Sequence, residues 1–137
     1  QTVMDRGTGG SARWKYKFNR PAAGKTGTTQ GWSDAWFVGF TPQIAAGCWF
    51  GVDDFRVPLG PGQDGSISAL PAWARFMKGA HDTLDFPIQK FEKPSGIHDI
   101  EICSVTKKAP VPACPVEKEI FKVGTEPIQK CKVHRTQ

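Results

Sequence analysis

Two sets of residues in this 137-residue sequence carry side chains able to do chemistry. The first lies in RPAAGKTGTTQGWSDAWFVGFTP, where Lys25, Thr26, Gly27 and Thr28 place a cation, two hydroxyls and a bare backbone in consecutive positions. That combination serves either a phosphate-cradling loop or a strand that grips a carboxylate beside an acyl-transfer nucleophile. The second set is spread over the last third of the chain: Cys103, Cys114, Cys131 and His134.

The phosphate reading fails on spacing. A nucleotide loop needs a glycine, four residues, then Gly-Lys-Ser/Thr opening a helix whose N-terminus faces the phosphates. Asn19 stands where the first glycine belongs, Pro21 lies inside the loop, and Gly27 with two threonines follows where the helix should begin. In a strand the same residues make sense. Thr26 and Thr28 project to one face, and Gly27 between them lets an extended peptide approach the backbone and pair as an added strand. Lys25 leaves from the other face, with a stem long enough to curl under the strand.

The elements that position these residues follow from local pattern. Trp14, Tyr16 and Phe18 alternate, favouring a short extended segment after a Gly-rich turn at 7–10. Residues 22–29, 35–41 and 44–52 read as three strands joined by short turns, an antiparallel meander. In the second strand Trp36, Val38 and Phe40 share a face and are core candidates. The run FRVPLGPGQDG reads as a surface loop. Leu70, Trp73, Phe76, Met77, Ala80 and Leu84 then recur at helical spacing, with Ser68 as the N-cap, Pro71 in the first turn and Pro87 closing the helix. The expected fold class is α+β, a three-stranded antiparallel meander with a packed C-terminal helix, divided into residues 1–87 and a small Cys-bearing tail of short strands, 88–137.

Composition bounds the rest. Five Trp and nine Phe allow a packed core, which excludes a disordered chain. The net charge of +5 is scattered rather than gathered into a basic stripe, so nucleic acid is not assigned as a partner. No segment approaches the ~20 apolar residues of a membrane span, and nothing has the form of a signal peptide. The opening QTVMDRGTGG, without an initiating Met, suggests a start inside a longer polypeptide.

With these residues in hand, a family resemblance can be stated. Lys25-Thr26-Gly27 matches the K-T-G motif of penicillin-binding proteins and serine β-lactamases. The order GKTGTT, DAWFVGFTP, GVDD and ALPAWARFMKGA resembles the end of the transpeptidase domain of class A penicillin-binding proteins, over roughly Arg6 to Pro87. The tail, with IC, ACP, EIFKVGTEP and CKVH in sequence, resembles the C-terminal extension some of these proteins carry. A serine β-lactamase shares K-T-G, but DAWFVGFTP and the Cys-bearing tail argue against it. A non-catalytic cell-envelope binding module is the alternative from another class.

The resemblance implies a fragment of a serine-type D,D-transpeptidase that cross-links peptidoglycan. Its substrate would be a stem peptide ending in D-Ala-D-Ala, or a β-lactam mimic. Lys25, Thr26, Gly27 and Thr28 would bind the substrate, and Lys25 and the Thr28 backbone N–H, half of an oxyanion hole, would serve catalysis. The parent would be membrane-anchored and extracytoplasmic, carry an upstream glycosyltransferase, and need no cofactor. The main partner would be the missing N-terminal part of the transpeptidase domain.

The family's S-x-x-K and S-x-N elements do not occur before Lys25. Ser104-Val105-Thr106-Lys107 spells S-x-x-K, but in a β-branched, Pro-flanked run where the motif's helix is not expected. The chain alone is therefore expected to be inactive.

Three cysteines and a histidine suffice by count for structural zinc, but Cys103 and Cys114 lie too far apart for the usual C-x2-4-C knuckle. The extracytoplasmic placement implied by the resemblance makes a disulfide in the tail an alternative, and free thiols a third. No metal ligand is assigned. Cys48 reads as a buried small hydrophobe; His81 and His98 have no evident partner and read as surface or packing residues. Trp32 and Asp34 could line a cleft or form a solvated turn.

Overall fold

Alternating exposure along residues 34–40 organises the larger part of the molecule. In a computed structural model that describes residues 2–134, Ala35 and Phe37 are fully buried, whereas Trp36, Val38 and Phe40 are 45%, 52% and 45% exposed. The period of two is the one read from the sequence, but the buried face is the other one. The reason lies across the sheet: a helix covers the Ala35, Phe37 and Gly39 side, and the tryptophan of that helix sits so close that a Cβ on Gly39 would be 2.6 Å from it. Gly39, lacking a side chain, leaves the room this contact needs.

The sheet is the expected antiparallel meander: β1 (Ala23–Thr28), β2 (Asp34–Phe40) and β3 (Ala45–Gly51), in the order β1-β2-β3. Register pairs Thr26 with Phe37 and Thr28 with Ala35, and Phe37 in turn with Cys48. Among the described residues the outer edges of β1 and β3 are free of ladder partners. No strand forms over residues 14–18, the expected extended segment: two one-turn helices, α1 (Thr2–Asp5) and α2 (Ser11–Trp14), precede a turn at 15–16 and an irregular stretch through Phe18. Met4, Ala12 and Phe18 are buried in the core while Trp14 is 68% exposed, so Trp14 and Phe18 do not share a buried face as strand alternation would require.

The C-terminal helix of this unit, α3 (Leu70–Thr83), buries Leu70, Trp73, Ala74, Met77 and His81. Phe76 and Leu84, read as core-facing, are 58% and 57% exposed, a rotation of the apolar stripe toward Ala74 and His81. Trp73 is central. Its ring meets Phe18 and Phe37 edge-on at 5.4 and 4.8 Å, and its indole N–H donates to the Ala46 carbonyl at 3.1 Å.

The helix also begins earlier than Ser68. A π-turn over Gly65–Ala69 precedes it, capped by Asp64, whose carboxylate accepts from the amides of Ser66 at 2.7 Å and Ile67 at 3.0 Å. Pro71 offers no N–H to Ile67, and its ring would crowd that carbonyl in a regular α-turn. The wider turn, closed by the Leu70 amide on the Gly65 carbonyl, accommodates it.

The chain divides into two compact units, residues 1–91 and 92–137. Within the second, β4 (Ile97–Cys103) and β5 (Val116–Lys122) form an antiparallel pair, with a parallel bridge between Ala109 and Lys130. Of its described hydrophobic residues only Ile102, Cys103 and Cys131 are buried.

Candidate substrate-binding strand and a cysteine-histidine cluster

Strand β1 carries Lys25-Thr26-Gly27-Thr28 in extended conformation, hydrogen-bonded to β2 on one side. Register places Thr26 and Thr28 on the inner face, opposite buried Phe37 and Ala35, and Lys25 on the outer face, opposite Val38. The lysine does not project into solvent as a free arm. It folds back so that its ammonium donates to the Thr26 carbonyl at 2.8 Å.

The inner face of the strand at Gly27 is closed, whereas the outer face is lined only by its cross-strand neighbour. On the outer side, a Cβ added to Gly27 would lie 3.3 Å from the Trp36 Cβ. On the inner side Gly65 rests on the sheet backbone: a Cβ there would meet the Trp36 carbonyl at 2.1 Å and the Gly27 carbonyl at 3.0 Å. The Gly65 amide donates to the Thr28 hydroxyl at 3.2 Å, tying the start of the π-turn to the motif. The helix side is thereby shut to a peptide, while the strand edge is not.

One neighbour of the motif was not singled out from sequence. The Thr8 hydroxyl lies 3.1 Å from the Thr26 hydroxyl. The signal was the threonine set among Gly7, Gly9 and Gly10: a Cβ on Gly7 would come within 2.9 Å of the Val3 backbone, so the turn packs tightly on α1. Asp34, by contrast, is committed to structure. It accepts from the Trp49 indole N–H at 2.8 Å and from the Ser33 hydroxyl at 3.2 Å. Trp32, at φ +55, is an exposed turn residue. His81 is buried and bonded to Thr41, and His98 pairs with Glu126 at 2.7 Å, so both have partners that sequence separation concealed. Cys48 packs against the core as a small hydrophobe, and burial raises its thiol pKa.

Ser104 and Lys107 are not disposed as a nucleophile and its lysine. They occupy a turn after β4, where the Ser104 hydroxyl donates to the Pro115 carbonyl and the Lys107 ammonium pairs with Glu117. That turn instead serves the second set of residues. Cys103, Cys114, Cys131 and His134, which sequence spacing left unassigned to metal, converge with one ligand atom each, all within 4.8 Å of one another. No disulfide joins the sulfurs. The Cys131 thiol is drawn from its ordinary 9.0 to about 5, first by the Thr106 hydroxyl and then by the His134 backbone amide. The His134 imidazole pKa is raised, chiefly by Cys131. Burial keeps the Cys114 thiol above its usual value.

An antiparallel sheet backed by a C-terminal helix, with K-T-G on an edge strand, defines a piece of a penicillin-binding transpeptidase-type fold, and similarity to known proteins agrees. Residues 93–136 match the family model described as penicillin-binding protein 1A, C-terminal domain. Penicillin-binding protein 1A of Clostridium tetani is 36% identical over 133 residues, covering 93% of this chain and 16% of that protein. That of Aquifex aeolicus is 38% identical over 122 residues, covering 89% and 16%. The crystal structure of penicillin-binding protein 1A from Haemophilus influenzae superposes with a TM-score of 0.78 at 32% identity, over 91% of this chain and 18% of that one. The chain belongs to the class A penicillin-binding proteins and corresponds to their C-terminal part; it spans about a sixth of the length of the curated relatives it matches.

Proposed function

We propose that this chain is the substrate-docking wall of a peptidoglycan D,D-transpeptidase, completed by an upstream part of the same protein that supplies the serine nucleophile. The observation that carries the reading is the free edge of β1 at Lys25–Thr28, with the inner face closed at Gly27 by Gly65. A stem peptide or β-lactam would pair along that edge. Lys25, Thr26 and Thr28 would hold its terminal carboxylate through charge-assisted hydrogen bonds. The Thr28 amide would supply one oxyanion donor, typically about 3–4 kcal/mol of transition-state stabilisation. The open face bearing Trp36, Val38, Phe40 and Trp49 supports an upstream partner segment, since monomers rarely expose contiguous apolar area of this kind. Such a protein works outside the cytoplasm, where peptidoglycan is assembled.

The test uses a fluorescent penicillin. In the full-length parent, Lys25→Ala should lower the acylation rate at least about 100-fold while thermal unfolding is retained. The 137-residue chain alone should show no mass adduct. Wild-type acylation by the Lys25→Ala parent would refute the assignment.

A further inference from the structure

We propose that Cys103, Cys114, Cys131 and His134 bind one zinc ion in a closed tetrahedral site that holds the C-terminal unit together. This does not depend on the role given to Lys25–Thr28. The geometry is that of a coordination sphere. His134 Nδ1 lies 3.4 Å from the Cys103 sulfur, 3.4 Å from that of Cys114 and 3.3 Å from that of Cys131. A tetrahedral zinc with Zn–S of about 2.3 Å and Zn–N of about 2.0 Å requires N···S separations of about 3.5 Å. Four protein ligands fill the sphere and leave no open position, the mark of a structural and not a catalytic site.

The backbone is built to present these atoms. Cys103 ends β4 and enters a turn closed by the Lys107 amide on the Cys103 carbonyl at 2.8 Å, with Lys107 at φ +56. Within it the Thr106 amide points at the Cys103 sulfur at 3.5 Å. Cys114 closes a similar turn: its amide bonds the Val111 carbonyl at 2.8 Å, and the Val111 amide reaches its sulfur at 3.3 Å. Amide-to-sulfur bonds of this kind orient and stabilise thiolate ligands. The Cys131 amide on the Ala109 carbonyl, at 2.8 Å, delivers the final C-x-x-H pair to the hairpin.

A disulfide accounts for less. It would consume two of three equivalent sulfurs and leave the third thiol and the imidazole crowded against it. Zinc uses all four, each cysteine passing its proton to solvent as it ligates, and masks the thiols from oxidation. The unit also needs a staple. Ile120, Val123 and Ile128 are 60%, 61% and 94% exposed, and a unit this small with so few buried side chains does not fold on apolar burial alone.

The full chain, produced in zinc-supplemented medium and purified without chelator, should carry one equivalent of zinc by elemental mass spectrometry. Cobalt substitution should give the intense ligand-field bands of a tetrahedral centre together with thiolate-to-cobalt charge transfer. Cys114→Ser and His134→Ala should each lose stoichiometric metal, and Cys48→Ser should keep it. Octahedral-type cobalt spectra, substoichiometric zinc in the reduced wild-type chain, or a disulfide among these three cysteines in the isolated protein would overturn the proposal.

Discussion

The Thr41 hydroxyl and His81 Nε2, 40 positions apart in sequence, lie 3.0 Å from each other in the core of the first unit. The Met77 carbonyl, 2.8 Å from His81 Nδ1, can only accept, so Nδ1 carries the proton. The Thr41 hydroxyl already accepts from the amides of Gln43 and Ile44 at 3.2 and 3.1 Å, leaving its own proton for Nε2. The pair joins the turn between β2 and β3 to α3. Thr41→Val leaves a buried nitrogen and two amides without their partner, and should cost about 1–3 kcal/mol in urea unfolding. An unchanged midpoint would show that the bond contributes nothing net.

Gly65 and Gly79 make opposite predictions from the same substitution. Gly65→Ala forces a methyl into the Trp36 carbonyl and should unfold or severely destabilise the first unit, as overpacking against backbone cannot relax. Gly79 lies in α3 with open space where its Cβ would be, so Gly79→Ala should raise stability by about 0.5–1 kcal/mol. Melting temperatures moving in the same direction would contradict the packing described.

Asp64 gives a pH-dependent prediction. Its pKa is lowered, first by the Ser66 hydroxyl, with the Ile67 and Ser66 amides adding to the effect. A depressed folded-state pKa means that the carboxylate stabilises fully above the unfolded value of about 3.9 and loses that contribution as pH falls through the lower folded value. Asp64→Ala should therefore destabilise by about 1 kcal/mol at pH 7, and the gap to wild type should narrow below about pH 4. A gap independent of pH would place the cap's worth elsewhere.

The exposed sheet face yields a solubility prediction. Val38 is half exposed beside Trp36 and Trp49, whose rings lie 6.3 Å apart. Val38→Glu, which sets an acid opposite Lys25, should change the stability of the chain by no more than about 0.5 kcal/mol while reducing self-association in sedimentation velocity. A large loss of stability would mean this face is buried by something within the chain.

Much of this was legible in the sequence because it is local. The alternation of residues 34–40, the turn-forming residues between strands and the 3.6-residue period after Pro71 are properties of neighbouring residues, and they specify three strands and a helix. The motif at Lys25–Thr28 was legible for the same reason: its chemistry is contiguous. Periodicity, however, says that a strand has two faces and not which one the rest of the chain will cover. That choice fell to Gly39, which leaves room for Trp73, and to Gly65, which leaves room for the sheet backbone. The same limit hid the partners of His81 and His98 and the convergence of Cys103, Cys114, Cys131 and His134. Ligands separated by long intervals are brought together by strand pairing and turn closure, and those contacts are made only when the chain has folded.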